Sequence, residues 1–431
     1  MWREKYSQKP GFSWLASDLV SKVAQTFATR ILLIGIGLTT SAIVARILGP
    51  EGRGVYVVAS TIGAIGVQFG NLGLHSSNTY YIAKDRNLLP ALLGNTLAVS
   101  FGFGGFGAAL AWVVFSLWPS LAPVHGTILG LALVGIPLGL AYLLVQNILI
   151  GINEVSAYNK IELASKILTV SLISLAILFQ AVTVETVFST GLIALLISFT
   201  WALWRLQPYL SKFPLPSLAL FKDNIGYGFK VYLACFFSFM VLKSDLLMVQ
   251  YLLGAEQTGY YSVAVNMADM VYMLPSIIGT MLFPKLSAMP SKEEKWQLSK
   301  KVSLVVGVMM TLVAIFAAII AEPIVRSLFG YAFLPAVPAF LWLMPGIVIL
   351  SINIIYMNYF GSTGMPLITV YSSSASALFN ILLNIKLIPC LGIIGASISS
   401  VAAYGMMLCF SLVFIRSDLR QQAVNFGGRN Q

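Results

Sequence analysis

Four ionisable side chains lie well inside long apolar stretches of this 431-residue chain: Arg30, Lys243, Asp245 and Asp269. A charge facing lipid costs several kcal/mol, so each of the four marks a candidate functional position. Arg30 carries a fixed fork of donors that suits a phosphate or pyrophosphate. Its alternative role is structural, satisfied by carbonyls or an acidic neighbour. Lys243 stands eleven residues before Gly254 and Asp269 ten residues after Gly259. On adjacent antiparallel helices they share a depth of roughly 15 Å below the intervening turn, close enough to meet. Lys243 is then a second anion-binding group, or one member of an ion pair that lets two charged helices fold in lipid. Asp245, two residues from Lys243, points from a different helical face, either to complete a triad with Lys243 and Asp269 or to face the cavity alone. Asp245 or Asp269 would serve as a proton- or Na⁺-coupling group whose titration follows burial and the nearby cation.

Other chemistries find no support. Cys235, Cys390 and Cys409 have no CxxC spacing, and His75 and His125 are far apart, so neither a disulfide frame, a metal site nor a cofactor site is expected. Gly102-Phe103-Gly104-Gly105-Phe106-Gly107 satisfies a dinucleotide fingerprint, but no strand precedes it, and close helix packing is the expected role. No Gly-Lys pair exists to make a Walker A loop. Gln68, Asn71, His75 and Asn78 share roughly one helix face, as a route for sugar hydroxyls or as a polar seam between helices.

The elements that hold these residues follow from composition. Hydrophobic types make up 58% of the chain, charged residues 10%, and mean hydropathy is +0.87, whereas a soluble domain averages about 25% charged. Bilayer-length windows predict twelve spans, near 20–45, 55–82, 89–118, 124–150, 159–180, 184–205, 226–252, 259–284, 299–321, 332–359, 365–387 and 391–415. The short alternating segments of a membrane β-barrel are absent. The fold class is therefore an all-α polytopic membrane protein. With cytoplasmic termini, 20 of the 26 Lys and Arg residues fall at inside ends and loops, and only Arg46, Arg53, Arg326 and Lys386 fall outside. That bias sets the expected orientation, with no cleaved signal peptide, and explains the net charge of +11 without nucleic acid. The basic stretch Lys285 to Lys301 reads as an orientation device, with anionic lipid or a cytoplasmic partner as the lesser possibility. The loops leave no room for an extramembrane catalytic domain, so no enzyme is expected.

Residues 48–59 repeat at 253–264 with a constant offset of 205: Leu, Gly, Glu, Gly, Tyr, Val and Ala are identical in the two copies. Each copy is a short turn between the first two helices of a six-helix half. Six is even, so both halves enter the membrane in the same direction, and two parallel-repeat bundles around a central cavity are expected. The expected divisions are 1–206 for the first bundle, 207–225 for a cytoplasmic linker rich in Pro and Lys, 226–416 for the second bundle and 417–431 for a cytoplasmic tail.

Lys243-Ser244-Asp245, Leu253-Gly254, Gly259-Tyr260-Tyr261, Pro275, Pro284, Asn380, Asn384, Ile388-Pro389, Gly392 and Gly395-Ala396 together resemble the polysaccharide-export, Wzx-like flippases of the multidrug/oligosaccharidyl-lipid/polysaccharide exporter superfamily. Leu48-Gly49-Pro50-Glu51-Gly52-Arg53-Gly54 is similar to that family's first external turn. The resemblance spans essentially the whole chain, although its motifs are mostly packing positions that specify fold better than cargo. It implies translocation of undecaprenyl-pyrophosphate-linked oligosaccharide from the cytoplasmic to the external leaflet of the bacterial inner membrane. Alternating access, coupled to H⁺ or Na⁺, would drive it. The implied partners are that lipid-linked substrate, membrane lipids and polysaccharide-assembly proteins. Of the four charges, only Lys243 and Asp245 fall on the family pattern. A cation-coupled multidrug exporter of the same superfamily is the alternative in transport, and a non-transporting subunit of a polysaccharide synthase complex is the alternative outside it.

Overall fold

A computed structural model describes residues 12–427, with side chains described for 29–418. Arg3, Lys5, Lys9, Lys22, Arg420 and Arg429, which enter the expected charge bias, lie outside the described side chains, as does most of the expected tail. Among the described residues the secondary structure is entirely helical.

Helix α1 (Phe12–Gly70) breaks at Gly49 (φ 67°, ψ −178°) into arms 12–48 and 50–70. The chain folds back there, because the Arg53 guanidinium reaches Ser41, twelve residues earlier. A positive φ of this kind favours glycine. Gly254, its repeat partner, has nearly the same conformation (φ 87°, ψ −179°), so the sequence repeat is also a backbone repeat.

The second arm of α1 continues past a break at residues 71–73 into α2 (Leu74–Lys84). The third crossing runs through α3 (Leu89–Leu97), a π-helical turn (Ala98–Gly104) and α4 (Gly105–Leu117). Then come α5 (Thr127–Gly151), α6 (Val155–Leu178) and α7 (Val184–Leu206). Beyond the linker lie α8 (Leu218–Leu253), α9 (Ala255–Ala288), α10 (Lys292–Ile319) and the short α11 (Ala321–Ile324). α12 (Ala336–Ser362), α13 (Ile368–Leu391) and α14 (Ile393–Gly427) complete the chain. Among the described residues, eleven helices are long and apolar enough to cross a membrane, the first of them spanning both arms of α1. Split at Gly49, they make twelve crossings, and the protein is a multi-pass membrane protein.

Helices overrun the sequence windows where polar residues extend them. α8 starts at Leu218 and includes Lys222, Asp223 and Asn224, because a hydropathy window measures bilayer thickness rather than helix length. α5 and α12 are the most buried crossings. The helices before the linker pack around Leu140, Leu144 and Ile148, and those after it around Tyr261, Phe333 and Phe340.

The two groups of helices meet at both ends. At the end carrying Gly49 and Gly254, the turn end, a Cβ on Gly54 would lie 1.8 Å from the Ala255 carbonyl oxygen, and one on Gly259 1.9 Å from that of Pro50. These contacts are copies of one another under the 205-residue offset. At the opposite, linker end, the first turns of α8 lie on α2 and α3. There Gly73 faces Gly228, Asn224 donates to Asn78 at 3.1 Å, and Asn95 exchanges two hydrogen bonds with Ser217.

Candidate functional site

Between the two groups of helices lies a cavity of about 380 Å³, walled by both arms of α1, by α6, α8 and α9. Three cations line it, Arg53, Lys166 and Lys243, with Ser41, Ser60, Thr61, Thr169, Ser262 and Asn266 supplying hydroxyl and amide groups. No Asp or Glu is among the described lining residues. The walls form because α1 turns its small and hydroxyl-bearing face, Tyr56, Val57, Ser60, Thr61 and Ala64, inward, a spacing of three and four that follows the helical period.

Lys243 and Asp269 meet, Nζ to Oδ2 at 2.9 Å, each side chain partly exposed. Lys243 also lines the cavity, so its pairing leaves it on the wall. Asp245 makes no salt bridge with Lys243, although the two charges interact. It is 2% exposed, and its carboxylate accepts from Tyr261 Oη at 2.5 Å, Ser400 Oγ at 3.1 Å and the Leu246 N–H at 2.8 Å. Close by, Ser244 donates to Asn380 Oδ1, and so does Asn384. Asn380 Nδ2, Asn384 Oδ1 and Ser376 Oγ are buried with no partner. Asp245 therefore joins no triad with Lys243 and Asp269 and lines no part of the cavity. It sits behind the wall in a nest of neutral oxygens and amides. Arg30 donates to Glu162 Oε1 at 3.2 Å and to Tyr158 Oη at 3.1 Å.

Three relevant residues escaped the sequence reasoning. Arg53, expected in the external turn, is 1% exposed and bridges the halves. Its Nε donates to Ser262 Oγ at 2.8 Å and its Nη atoms to the backbone oxygen and Oγ of Ser41, with the Phe329 ring 5.6 Å from the guanidinium carbon. No salt bridge to Arg53 is found among the described residues, and a hydropathy profile has no means of showing that this polar turn folds inward. Lys166 counts among the 20 inside charges and Glu162 stands in no motif, although both fall inside the predicted span 159–180, and that position is a usable signal. The expected seam is present at Asn78, which donates to Thr96 and accepts from Asn224, and Asn71 and His75 bond to each other. The close-packing role of the glycine-rich run holds only at Gly104, against Leu140 and Pro137. Gly102, Gly105 and Gly107 face open space.

Residues 43–338 match the family described as "Polysaccharide biosynthesis protein". The chain belongs to that family. Its relatives include an uncharacterised membrane protein of Methanocaldococcus jannaschii, 31% identical over 213 residues, 48% of this chain and 42% of the relative. A probable low-salt glycan biosynthesis flippase of Haloferax volcanii is 20% identical over 225 residues, 52% of this chain and 47% of the relative. The matches thus span just under half the length of either relative. Among solved structures, an inward-facing multidrug MATE transporter of the MOP superfamily superposes with TM-score 0.73 at 15% identity, over 90% of this chain and 94% of that one. The lipid II flippase in an inward closed conformation gives 0.73 at 14% identity, over 92% and 87%. A MOP superfamily transporter of Pyrococcus furiosus, described as having a binding pocket of reverse polarity, gives 0.66 at 14%, over 94% and 96%. The fold is that of the MOP superfamily, and the Wzx-like resemblance is borne out at the level of family and fold.

Proposed function

We propose that this protein is a flippase for polyprenyl-pyrophosphate-linked oligosaccharide, with undecaprenyl as the carrier in a bacterial inner membrane. The observation that carries it is the polarity of the cavity, in which Arg53, Lys166 and Lys243 line the wall and no carboxylate is among the described lining residues. Guanidinium and ammonium groups in a site of low dielectric bind phosphate strongly. The hydroxyl and amide groups around them suit sugar. A carrier of cationic drugs needs the opposite polarity, which argues against the multidrug alternative despite the shared fold. The family match and the glycan flippase relative support the same assignment.

In this reading the two bundles, 1–206 and 226–416, rock about the cavity, and the lipid tail stays in the bilayer. The turn end faces outward and both termini lie in the cytoplasm, in keeping with the distribution of Lys and Arg. The crossing at Gly54 and Gly259 closes the outward end in the conformation described. Arg30 and Lys243 contact the pyrophosphate. Asp245, an acid held by hydroxyls of α9 and α14, couples the cycle to H⁺ or Na⁺, and Asp269 serves as the fixed counter-ion of Lys243.

Purified protein in liposomes tests this with a fluorescent lipid-linked oligosaccharide whose outer-leaflet fraction is read by a membrane-impermeant quencher. The wild type is expected to flip it under an imposed H⁺ or Na⁺ gradient. Asp245→Asn is expected to bind it but to flip without gradient dependence, because a carboxamide does not titrate. No flipping by the wild type would overturn the function and leave the synthase-subunit alternative standing; full gradient dependence in Asp245→Asn would overturn the coupling assignment alone.

A further inference from the structure

Arg30 lies on the same face of α1 as the cavity-lining Gly37, seven residues on, and Glu162 lies one turn of α6 before the cavity-lining Lys166. The Arg30–Glu162 pair therefore stands where the cavity wall continues toward the linker end. Glu162 spends one carboxylate oxygen, Oε1, on Arg30. Its other oxygen, Oε2, is buried and has no hydrogen-bond partner. Nearby on α5 are two more polar groups without a well-formed hydrogen bond: Tyr142 Oη, and the side-chain amide of Gln146, a residue 4% exposed. Their depths agree. Glu162 is roughly 10 Å from the linker-end start of α6, and Gln146 and Tyr142 are about 8 and 13 Å from the linker-end finish of antiparallel α5. Tyr142 interacts electrostatically with Glu162 and Tyr158, and its hydroxyl is in loose polar contact with Gln146 and Ser165. The repeat-related positions Ile347, Ser351 and Leu367 carry no such set.

Buried donors and acceptors are normally paired, so two spare donors beside a half-paired carboxylate call for an explanation. We propose that Glu162 is the resident counter-ion of Arg30, exchanged for the substrate's headgroup, and that Tyr142 and Gln146 receive the displaced carboxylate. The proposal rests on the flippase reading and deepens it. A singly charged phosphate that replaces Glu162 on Arg30 swaps one unit of negative charge for another, with no Coulombic gain. A pyrophosphate brings more charge to the same cation and wins the exchange. The displaced carboxylate takes new hydrogen bonds from the Tyr142 hydroxyl and the Gln146 amide in place of the one it lost, so the exchange leaves no buried anion bare. Glu162 thereby raises the affinity a ligand needs on Arg30, a threshold that a phosphodiester-linked lipid with its single charge does not reach.

The test is titration calorimetry of inorganic pyrophosphate and of dimethyl phosphate, a monoanion, against the full chain in lipid nanodiscs. Wild type is expected to prefer pyrophosphate by at least about tenfold, and Glu162→Gln, which removes the competing carboxylate, to bind both anions about tenfold more tightly. The Tyr142→Phe/Gln146→Leu double variant is expected to move the other way, weakening pyrophosphate by about fivefold, and to have no effect once Glu162→Gln is also present; it carries the test alone if Glu162→Gln fails to accumulate. Loss of a purely structural ion pair would lower both affinities. Weaker or unchanged pyrophosphate binding in Glu162→Gln, or unchanged binding in the double variant, overturns the exchange while flipping by the wild type persists. A wild type that binds neither anion removes both the exchange and the flippase reading.

Discussion

Replacing Gly54 by Ala puts a methyl where the Ala255 carbonyl oxygen lies 1.8 Å away, with the Ala255 carbon at 2.7 Å and the Gly259 nitrogen at 3.0 Å. A carbon needs about 3.3 Å from such an oxygen, so the second arm of α1 and α9 must part by roughly 1.5 Å. The obstacle is backbone on both sides, and no rotamer change relieves it. Overpacking of this kind costs roughly 1–3 kcal/mol, and here it falls only on the conformation in which the turn end is closed. At about 2 kcal/mol, the ratio of open to closed shifts by roughly thirtyfold toward open. Ser262, 1% exposed beside Arg53, reports the change. In a background lacking Cys235, Cys390 and Cys409, Ser262→Cys should react with an impermeant maleimide at least about tenfold faster when Gly54→Ala is added. Gly259→Ala, blocked by the Pro50 carbonyl oxygen at 1.9 Å, should do the same. The pair together should fall short of the sum, since parting the helices for one methyl makes room for the other. Unchanged labelling, with both proteins at normal membrane levels, would refute the closure.

Two further outcomes are expected. Lys243→Met and Asp269→Asn should each lower thermal stability and the double variant should recover part of the loss. The coupling should be no more than about 1 kcal/mol because both side chains are partly exposed, and a double variant worse than the sum of the singles would remove the scaffold role. Cysteines at Glu51 and Glu256 should label from outside and one at Glu293 from inside, the last chosen because Lys295 is buried against the Ser362 carbonyl; outside labelling at Glu293 would reverse the orientation.

The Gly49 and Gly254 turns, the twelve crossings and the parallel repeat were legible in the sequence because each depends on local information. Apolar length sets a span, and a glycine with a recurring neighbourhood sets a turn. Lys243 and Asp269 could be brought together on paper because they flank a single turn, and helical rise fixes their depth. What surrounds Asp245 was not legible, since its partners come from α9 and α14, and Ser400 is 155 residues away. Arg53 was misplaced for the same reason. Its sequence surroundings are those of an exposed polar turn, and only the crossing of two repeat-related glycines draws that turn inward and desolvates the guanidinium. Hydropathy assigns each residue to lipid or water. Whether a polar group faces a cavity, a partner or the solvent depends on which helices pack together, and that was settled by tertiary contacts between segments some two hundred residues apart.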